Sequence, residues 1–498
     1  MREHRRGAPS QATRVTETLH PVKTYQQFIG GQWVDSASGE TQPVENPAVY
    51  ETIAHVPASG QEDVNRAVDA AGVAFEEWSL TTPQTRSLAL LKVADLLDAN
   101  ADEIGRLESL QTGKPVQAAI DEMGVASDLF RFFAGAARVM DGLAVSEFVD
   151  GKTSMIRRDP VGVVASIAPW NYPLYMAAWK LGPALATGNT CVLKPASRTP
   201  LSALKFAEVV SEALPAGVLN VITGSGGRMG DLLVGHPKVR MVSITGDTAT
   251  GKHIAEVAAG TVKRLHLELG GKAPVIVYDD ADLELVADTL RFAGYWNSGQ
   301  DCTAACRVIA GPGIYDNLVA ALGDRVGTIK YGNPLEHDDL DIGSLIGRFQ
   351  ADKVEQMVNT AVAAGAEVVV GGKRPSDNGA YFVPTVLANP DQRSEIVQEE
   401  VFGPVVTVQR FTDEDQAVAW ANDVKYGLAS SVFSGSFAKA MRTARRLQFG
   451  TVWINDHFTL TSETPHGGVK ESGWGKDGSK YALEDYTSIK HITVNTGI

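Results

Sequence analysis

The sequence predicts an α/β protein of two or more domains built on parallel sheets, and three observations carry that expectation. Its 498 residues exceed what one hydrophobic core normally organises, and 44% of them are hydrophobic, enough to bury more than one core. Short β-rich runs alternate with amphipathic helical stretches over most of the length, the pattern of parallel strands joined by crossover helices. A second β-α series begins near Ala273, after a first has ended.

Taken in order, residues 1–22 carry several arginines, few large apolar residues and a Gly-Ala-Pro break, so a flexible tail is expected there. From Gln61 to Trp78 the apolar positions Val64, Val68, Ala71, Phe75 and Trp78 recur at three and four residues and predict an amphipathic helix. Further helices are expected over 88–99 and 116–140. The runs 161–167, 190–193, 218–222 and 239–244 are β-rich and separated by helical stretches. Their sheet should carry a ligand at its carboxyl edge. The second series runs from 273–277 to the Gly/Pro-rich stretch 463–478. Two strand-like segments, 153–157 and 486–495, fit neither series and are expected to pair in a separate sheet that projects to a neighbouring subunit.

A formal net charge of −14 argues against broad attraction to nucleic acid, which needs Lys and Arg to neutralise phosphates, although a local pocket can still be positive. Only Cys191, Cys302 and Cys306 occur, too few for a disulfide framework. No apolar run is long enough to span a bilayer. The expectation is a soluble, cytoplasmic protein whose partner is a small molecule, with neither nucleic acid nor membrane involved and no metal.

Cys302 follows Asn297-Ser-Gly-Gln-Asp, which places it in a turn among polar residues, a poor setting for an inert buried thiol. Cys306 is either a resolving thiol or a packing residue, and Cys191, inside a β-run, is core. A cysteine attacking a carbonyl generates an oxyanion and needs fixed donors. Asn171, between two prolines at the end of the first β-run, can supply one, or can cap its own turn. Hydrolysis of the resulting thioester needs a base. Glu268 ends an apolar strand against Gly-Gly, where partial burial would suit it for that work. The turn Thr223-Gly-Ser-Gly226-Gly-Arg-Met-Gly230 suggests a cofactor, but its third glycine comes one residue late for the usual dinucleotide spacing. Thr245-Gly246-Asp247 opens a second helix whose amino terminus could receive phosphate. Lys194-Pro-Ala-Ser197 offers a cation and a hydroxyl where a ribose would lie.

In order and spacing these pieces resemble the aldehyde dehydrogenase superfamily over nearly the whole chain, from Phe28-Ile-Gly-Gly-Gln-Trp33 onward. The match includes Pro169-Trp-Asn171, Glu268-Leu-Gly-Gly, Gly299-Gln-Asp-Cys302, Glu400-Val-Phe402-Gly-Pro and Pro465-His-Gly-Gly-Val-Lys-Glu-Ser-Gly473. The resemblance implies Cys302 as nucleophile, Glu268 as general base and Asn171 as oxyanion donor beside the Cys302 backbone N–H. It implies cofactor contacts at Ala168, Pro169, Trp170, Lys194 and Ser197, at Gly226, Gly230, Thr245 and Gly246, and at Leu269, Glu400 and Phe402. The fold implied is a Rossmann-type cofactor domain over 23–146 and 160–270, an α/β catalytic domain over 271–473, and a small oligomerisation sheet from 147–159 and 474–498. Dimers or tetramers formed through that sheet are usual. Some members carry a proton-relay pair at the positions of Lys180 and Asp477, with Glu where this chain has Asp.

Within the superfamily, residues 154–160, 130–137, 301–306 and 457–466 look like the γ-aminobutyraldehyde dehydrogenases, which points to an ω-aminoaldehyde from polyamine breakdown such as putrescine. Asp121 and Asp128, on one helical face, and Tyr172, Trp179, Trp296 and Phe458 would then line a tunnel for an ammonium group. Lys194-Pro-Ala-Ser197-Arg-Thr-Pro200 equally resembles succinate semialdehyde dehydrogenases. Ser197 replaces a Glu that binds the adenosine ribose in NAD-preferring relatives, so NAD and NADP both stay open. Asp247 stands where many members have Ser, and its carboxylate should point away from phosphate. A catalytically idle protein on this fold and a CoA-acylating enzyme are the other readings. The set Cys302, Glu268 and Asn171 speaks against the first and Glu268 against the second.

Overall fold

The computed structural model describes residues 22–140, 142, 145–375 and 378–497. The tail expected over 1–22 lies outside them except for its last residue. Two sheets dominate the molecule. In the first, five strands run parallel: Arg264–Glu268, Val239–Thr245, Val163–Ile167, Thr190–Lys194 and Leu219–Val221, in that spatial order. Helices pack on it, so strands such as Val163–Ile167 and Thr190–Lys194 are buried on both faces and read as continuous apolar runs. Their register aligns the carboxyl ends, with Ile167 opposite Lys194 and Ile244, and Thr245 opposite Glu268.

Antiparallel edges complete this sheet. Gln27–Ile29 and Gln32–Val34 extend one side, and Gly473–Trp474 pairs with the other, setting Gly473 opposite Glu268. The sequence reading ran the second β-α series to the stretch 463–478, whereas within that stretch the chain has already returned to the first sheet, at Gly473–Trp474. A two-residue strand is too short to leave an alternation in the sequence.

The second sheet holds seven strands between Pro274 and Ile454, parallel except for the edge strand Glu367–Val370. The orphan segments do pair with each other: Thr487–Asn495 lies antiparallel to Lys152–Pro160, and Val145–Val149 adds a third strand. This small sheet leaves Phe148, Val149 and Ile489 exposed. A further small sheet, Lys23–Thr24 with Glu51–Pro57 and Thr41–Asn46, was not foreseen.

The helix Gln61–Trp78 has the expected ends. The next begins at Pro83 instead of Leu88, because Thr82 caps it by accepting Thr85 N–H at 3.2 Å and Pro occupies the first turn, start signals that apolar periodicity ignores. The long helix Val116–Ala136 stops short of the expected 140, and Val139 beyond it is exposed.

Asn189 ties the first sheet to the carboxyl-terminal strand. Fully buried, it accepts from Gly162 N–H at 2.9 Å and donates to Thr187 Oγ1 at 2.7 Å and Tyr486 O at 2.9 Å. Asn189→Ala strands those groups in the core and should cost about 3 kcal/mol of stability. Scanning calorimetry should show the unfolding midpoint several degrees lower, and an unchanged midpoint contradicts this account.

Candidate active site

The strand Arg264–Glu268 delivers Glu268 into the interior and is followed, after Leu269, by two glycines, each required by a close approach. A Cβ on Gly271 would stand 2.1 Å from the backbone oxygen of Cys302, and one on Gly270 would stand 2.8 Å from Glu400 Oε2. Gly271 N–H donates to Glu400 Oε1 at 2.9 Å. The edge of the first sheet thus meets the turn of Cys302 and the loop of Glu400. Ligating atoms of Glu268, Cys302 and His466 all lie within 4.8 Å of one another.

Cys302 follows a 3-10 turn, Trp296–Gly299, in which Asn297 and Ser298 are left-handed at φ 51° and 58°. The turn persists because its polar groups are satisfied. Asn297 Nδ2 donates to the Asn171 carbonyl at 3.0 Å, and Gln300 Oε1 accepts Ile346 N–H at 2.8 Å. Beyond the thiol, the Asp301 carboxylate accepts from Thr303 N–H and Oγ1, at 2.6 and 2.7 Å. The Thr303 carbonyl accepts from His457 Nε2 at 2.7 Å, while His457 Nδ1 lies 2.9 Å from Ser431 Oγ. Burial pushes His457 down to about 4, so it is neutral and serves as a strut.

Asn171 sits between the strand Val163–Ile167 and the helix Pro173–Ala186. Its Nδ2 gives one hydrogen to the Gln300 carbonyl at 3.0 Å and keeps the second for a ligand. Behind it, Lys114 Nζ donates to the Asn171 carbonyl at 2.9 Å and to both Glu122 oxygens at 2.7 Å, all buried. Burial raises Glu122 to about 8 against the opposing Lys114 charge.

Burial also governs the reacting groups. It pushes the Cys302 thiol well above its usual value, and the charges of Glu268, Asp301 and Glu400 push the same way, so the resting sulfur is protonated. Burial takes Glu400 up to about 7 and Lys194 down to about 8.

Cys302, Glu268 and Asn171 open onto a cleft of about 370 Å³, which Pro169, Trp170, Thr245, Gly246, Glu400 and Phe402 also line. The Trp170 and Phe402 rings meet edge to face at 5.1 Å. A second cleft of about 380 Å³ lies along the same sheet edge, lined by Ile167, Lys194, Gly226, Gly230 and Thr250. A Cβ on Gly226 or Gly230 would meet nothing within 4 Å, so these glycines face open space. Ala168 N–H bonds the Lys194 carbonyl at 3.1 Å, Leu269 is buried beneath the helix Thr248–Ala259, and Ser197 O accepts from Gln42. Donors, a buried cation and glycine-walled space along one strand edge fit a dinucleotide. Asp247 turns its carboxylate back to cap its own helix, accepting Thr250 N–H at 2.9 Å.

A family model described as the aldehyde dehydrogenase family matches residues 33–492. The chain belongs to that family. It is 41% identical to the betaine aldehyde dehydrogenase of Bacillus subtilis over 94% of this chain and 97% of that one. It is 39% identical to the mitochondrial succinate-semialdehyde dehydrogenase of Oryza sativa, covering 94% and 89%. The crystal structure of betaine aldehyde dehydrogenase from Staphylococcus aureus in complex with NAD+ superposes with a TM-score of 0.92 at 43% identity, covering 95% of both chains. The protein is therefore an oxidoreductase that converts aldehydes to acids, and no described helix is long and apolar enough to cross a membrane.

The residues singled out for the substrate fall into three places. Tyr172 and Trp179 are buried, and their rings are linked through Tyr175 to His466, whose ring centroid is 5.0 Å from that of Trp179. Trp296 and Phe458 both pack on Phe292. The two carboxylates are not brought together: Asp121 is exposed and bonded by Gln117, while Asp128 accepts the Ser462 hydroxyl at 2.6 Å.

Sequence reasoning missed Lys114, Glu122 and His457, whose work consists of contacts with residues distant in the chain. In this aldehyde dehydrogenase, Gly271→Ala should displace the Cys302 carbonyl and lower kcat about 100-fold with the fold retained, since misplacements near 1 Å cost that much. Wild-type kcat in a folded variant would contradict the close approach.

Proposed function

We propose that this aldehyde dehydrogenase oxidises an ω-aminoaldehyde, 4-aminobutanal or a homologue, through a thioester on Cys302. The observation that carries the mechanism is the convergence of Cys302, Glu268 and the free Asn171 N–H on one cleft. Cys302 attacks the aldehyde carbon, losing its proton to solvent through the open cleft as the C–S bond forms. The oxyanion is held by Asn171 Nδ2 and the Cys302 backbone N–H. A bound nicotinamide cofactor would supply the acceptor for the hydride that leaves the aldehyde carbon, and breakage of that C–H bond turns the oxyanion adduct into the thioester. Glu268 then takes a proton from water, which adds to the thioester carbonyl, and breakage of the C–S bond frees the acid and restores the sulfur. Lys194, Ser197, Gly226, Gly230, Glu400 and Phe402 hold the cofactor in this reading. NAD+ in the S. aureus neighbour supports NAD, and Ser197 removes a repulsion against a 2′-phosphate, which leaves NADP open.

For the substrate, the aromatic residues Tyr172, Trp179, Trp296 and Phe458 suit a cation, and two of the relatives are named for an aldehyde that bears a quaternary ammonium. Arg291, beside Phe292 and Trp296, is engaged with Asp341 at 2.9 Å and is a poor anchor for a substrate carboxylate. The second reading, succinic semialdehyde, is favoured by the plant relatives at 39% and 40% identity. The exposed apolar residues of the small sheet suit assembly into a homodimer or homotetramer.

Comparing kcat/KM for 4-aminobutanal, betaine aldehyde and succinic semialdehyde should rank 4-aminobutanal first, and a preference for succinic semialdehyde establishes the second reading. Cys302→Ala should abolish oxidation. Glu268→Gln should keep the first burst of reduced nicotinamide and stall afterwards. Ser197→Glu should move the NADP/NAD ratio of kcat/KM toward NAD by about tenfold or more, the scale of one charge contact of about 1.4 kcal/mol. An unmoved ratio places Ser197 away from the ribose.

A further inference from the structure

Between Glu268 and the surface runs a row of buried ionisable side chains that the mechanism above does not use. His466 Nε2 lies 3.3 Å from Glu268 Oε1. His466 and Asp477 exchange both backbone hydrogen bonds, at 2.8 and 2.7 Å, which fixes the two side chains as neighbours. Asp477 stands 3.6 Å from Lys180 Nζ and 3.5 Å from His266 Nε2, and His266 Nδ1 stands 3.5 Å from Asp485 Oδ2. The side chain of Asp485 is 34% exposed, whereas those of Glu268, His466, Asp477 and His266 are at most 3% exposed.

The polar side-chain atoms of these four buried residues, and Lys180 Nζ, make no direct hydrogen bond among the described residues. Buried polar groups are ordinarily satisfied, and a continuous set of exceptions calls for an explanation. The separations of 3.3 to 3.6 Å are those of groups that bond after a small shift or through one water. The row starts at the proposed base and ends at solvent, and every member can carry a proton or balance one.

We propose that His466 receives the proton that Glu268 removes from the hydrolytic water, and that His266 passes it beyond Asp477 to Asp485 at the surface. This rests on the reading of Glu268 as the base. Water oxygen bonds to the thioester carbonyl carbon while one water proton goes to Glu268. The C–S bond breaks with its electron pair left on sulfur, which takes the remaining water proton from the carboxylic acid product and returns to the thiol. The proton on Glu268 then moves to His466 Nε2, and the same number of protons leaves at Asp485, so Glu268 is ready for the next turnover. Asp477 is the fixed anion of the row. Burial pushes its carboxyl up, but Lys180, His266 and His466 outweigh that and hold it at about 2. It stays ionised and provides the counter-charge for a proton on either imidazole. Lys180 shares Asp477, and the histidines on the two sides of Asp477 extend that pair to the base and to solvent.

The test uses the full-length enzyme with its cofactor. In His466→Gln the first burst of reduced nicotinamide should keep its amplitude. Rapid-quench decay of the acyl-enzyme should slow about 100-fold, the scale of one lost proton-transfer partner. In His466→Ala, added imidazole should restore that decay in proportion to its concentration, which a merely structural role would not allow. His266→Gln should slow decay less and leave the burst intact. Should the His466 variants fail to fold, His266→Gln decides alone. Unchanged acyl-enzyme decay in a folded variant overturns the proposal, as does a His466→Ala enzyme indifferent to imidazole. Glu268→Gln separates the two readings. Equal loss of burst and turnover there refutes Glu268 as the base, whereas a retained burst beside full-rate decay in His466→Gln refutes only the relay.

Discussion

The site depends on the contact between the Gly271 backbone and the carbonyl of Cys302. Glu268 belongs to the first sheet and Cys302 to the segment that feeds the second, through Arg307–Ala310, so neither sheet alone holds both. They come into register because Gly270 and Gly271, just beyond Glu268 and Leu269, carry no side chains, the first lying against Glu400 and the second against Cys302. The second glycine also donates to Glu400 and anchors that loop. A methyl group at position 271 would separate the sheets where Cys302 and Glu268 meet. The strand Gly473–Trp474 reinforces the joint, since Ser472 Oγ donates to the Gly270 carbonyl and Ser472 O accepts from Leu269 N–H.

Closing that joint removes water, and the electrostatics of the site follow from it. Desolvation heads the causes that raise Cys302, Glu400 and Glu122 and that lower Lys194 and His457. The resting sulfur is a thiol surrounded by carboxylates, an arrangement that suppresses stray reactivity. The same dryness makes fixed dipoles effective, which is why Asn171 is braced from both sides, by Gln300 in front and by the Lys114–Glu122 pair behind.

What the sequence disclosed divides along this line. The helix Gln61–Trp78 was legible to its ends, because periodic burial writes itself into residue type. That Cys302, Glu268 and Asn171 belong together was legible in their motifs, and the structure brings the three onto one cleft. Lys114, Glu122, His457 and His266 were not legible, because each acts through a residue far away in the chain and its type suits many environments equally. Short edge strands such as Gly473–Trp474 were missed for a different reason: two residues carry no period. The carboxylates Asp121 and Asp128 show the opposite failure. Their spacing puts them on one helix face, but Asp121 is taken up by Gln117 and Asp128 by Ser462.

Asp247 joins the two kinds of information. Its residue type alone raised a conflict, a carboxylate at a helix amino terminus where a phosphate was expected. The structure resolves it by folding the side chain onto Thr250 N–H and Oγ1, so the partial positive charge of that helix end is already answered by an internal anion. The helix Gly226–Gly235 differs: its N-cap, Ser225, makes no side-chain cap bond, and Gly226 and Gly230 face open space beside Lys194. Of these two helix ends, the one without a side-chain cap has room and a neighbouring cation. On electrostatic grounds the Gly226 turn suits an anionic group better than the Asp247 end does, despite a glycine spacing that misses the usual dinucleotide motif by one residue.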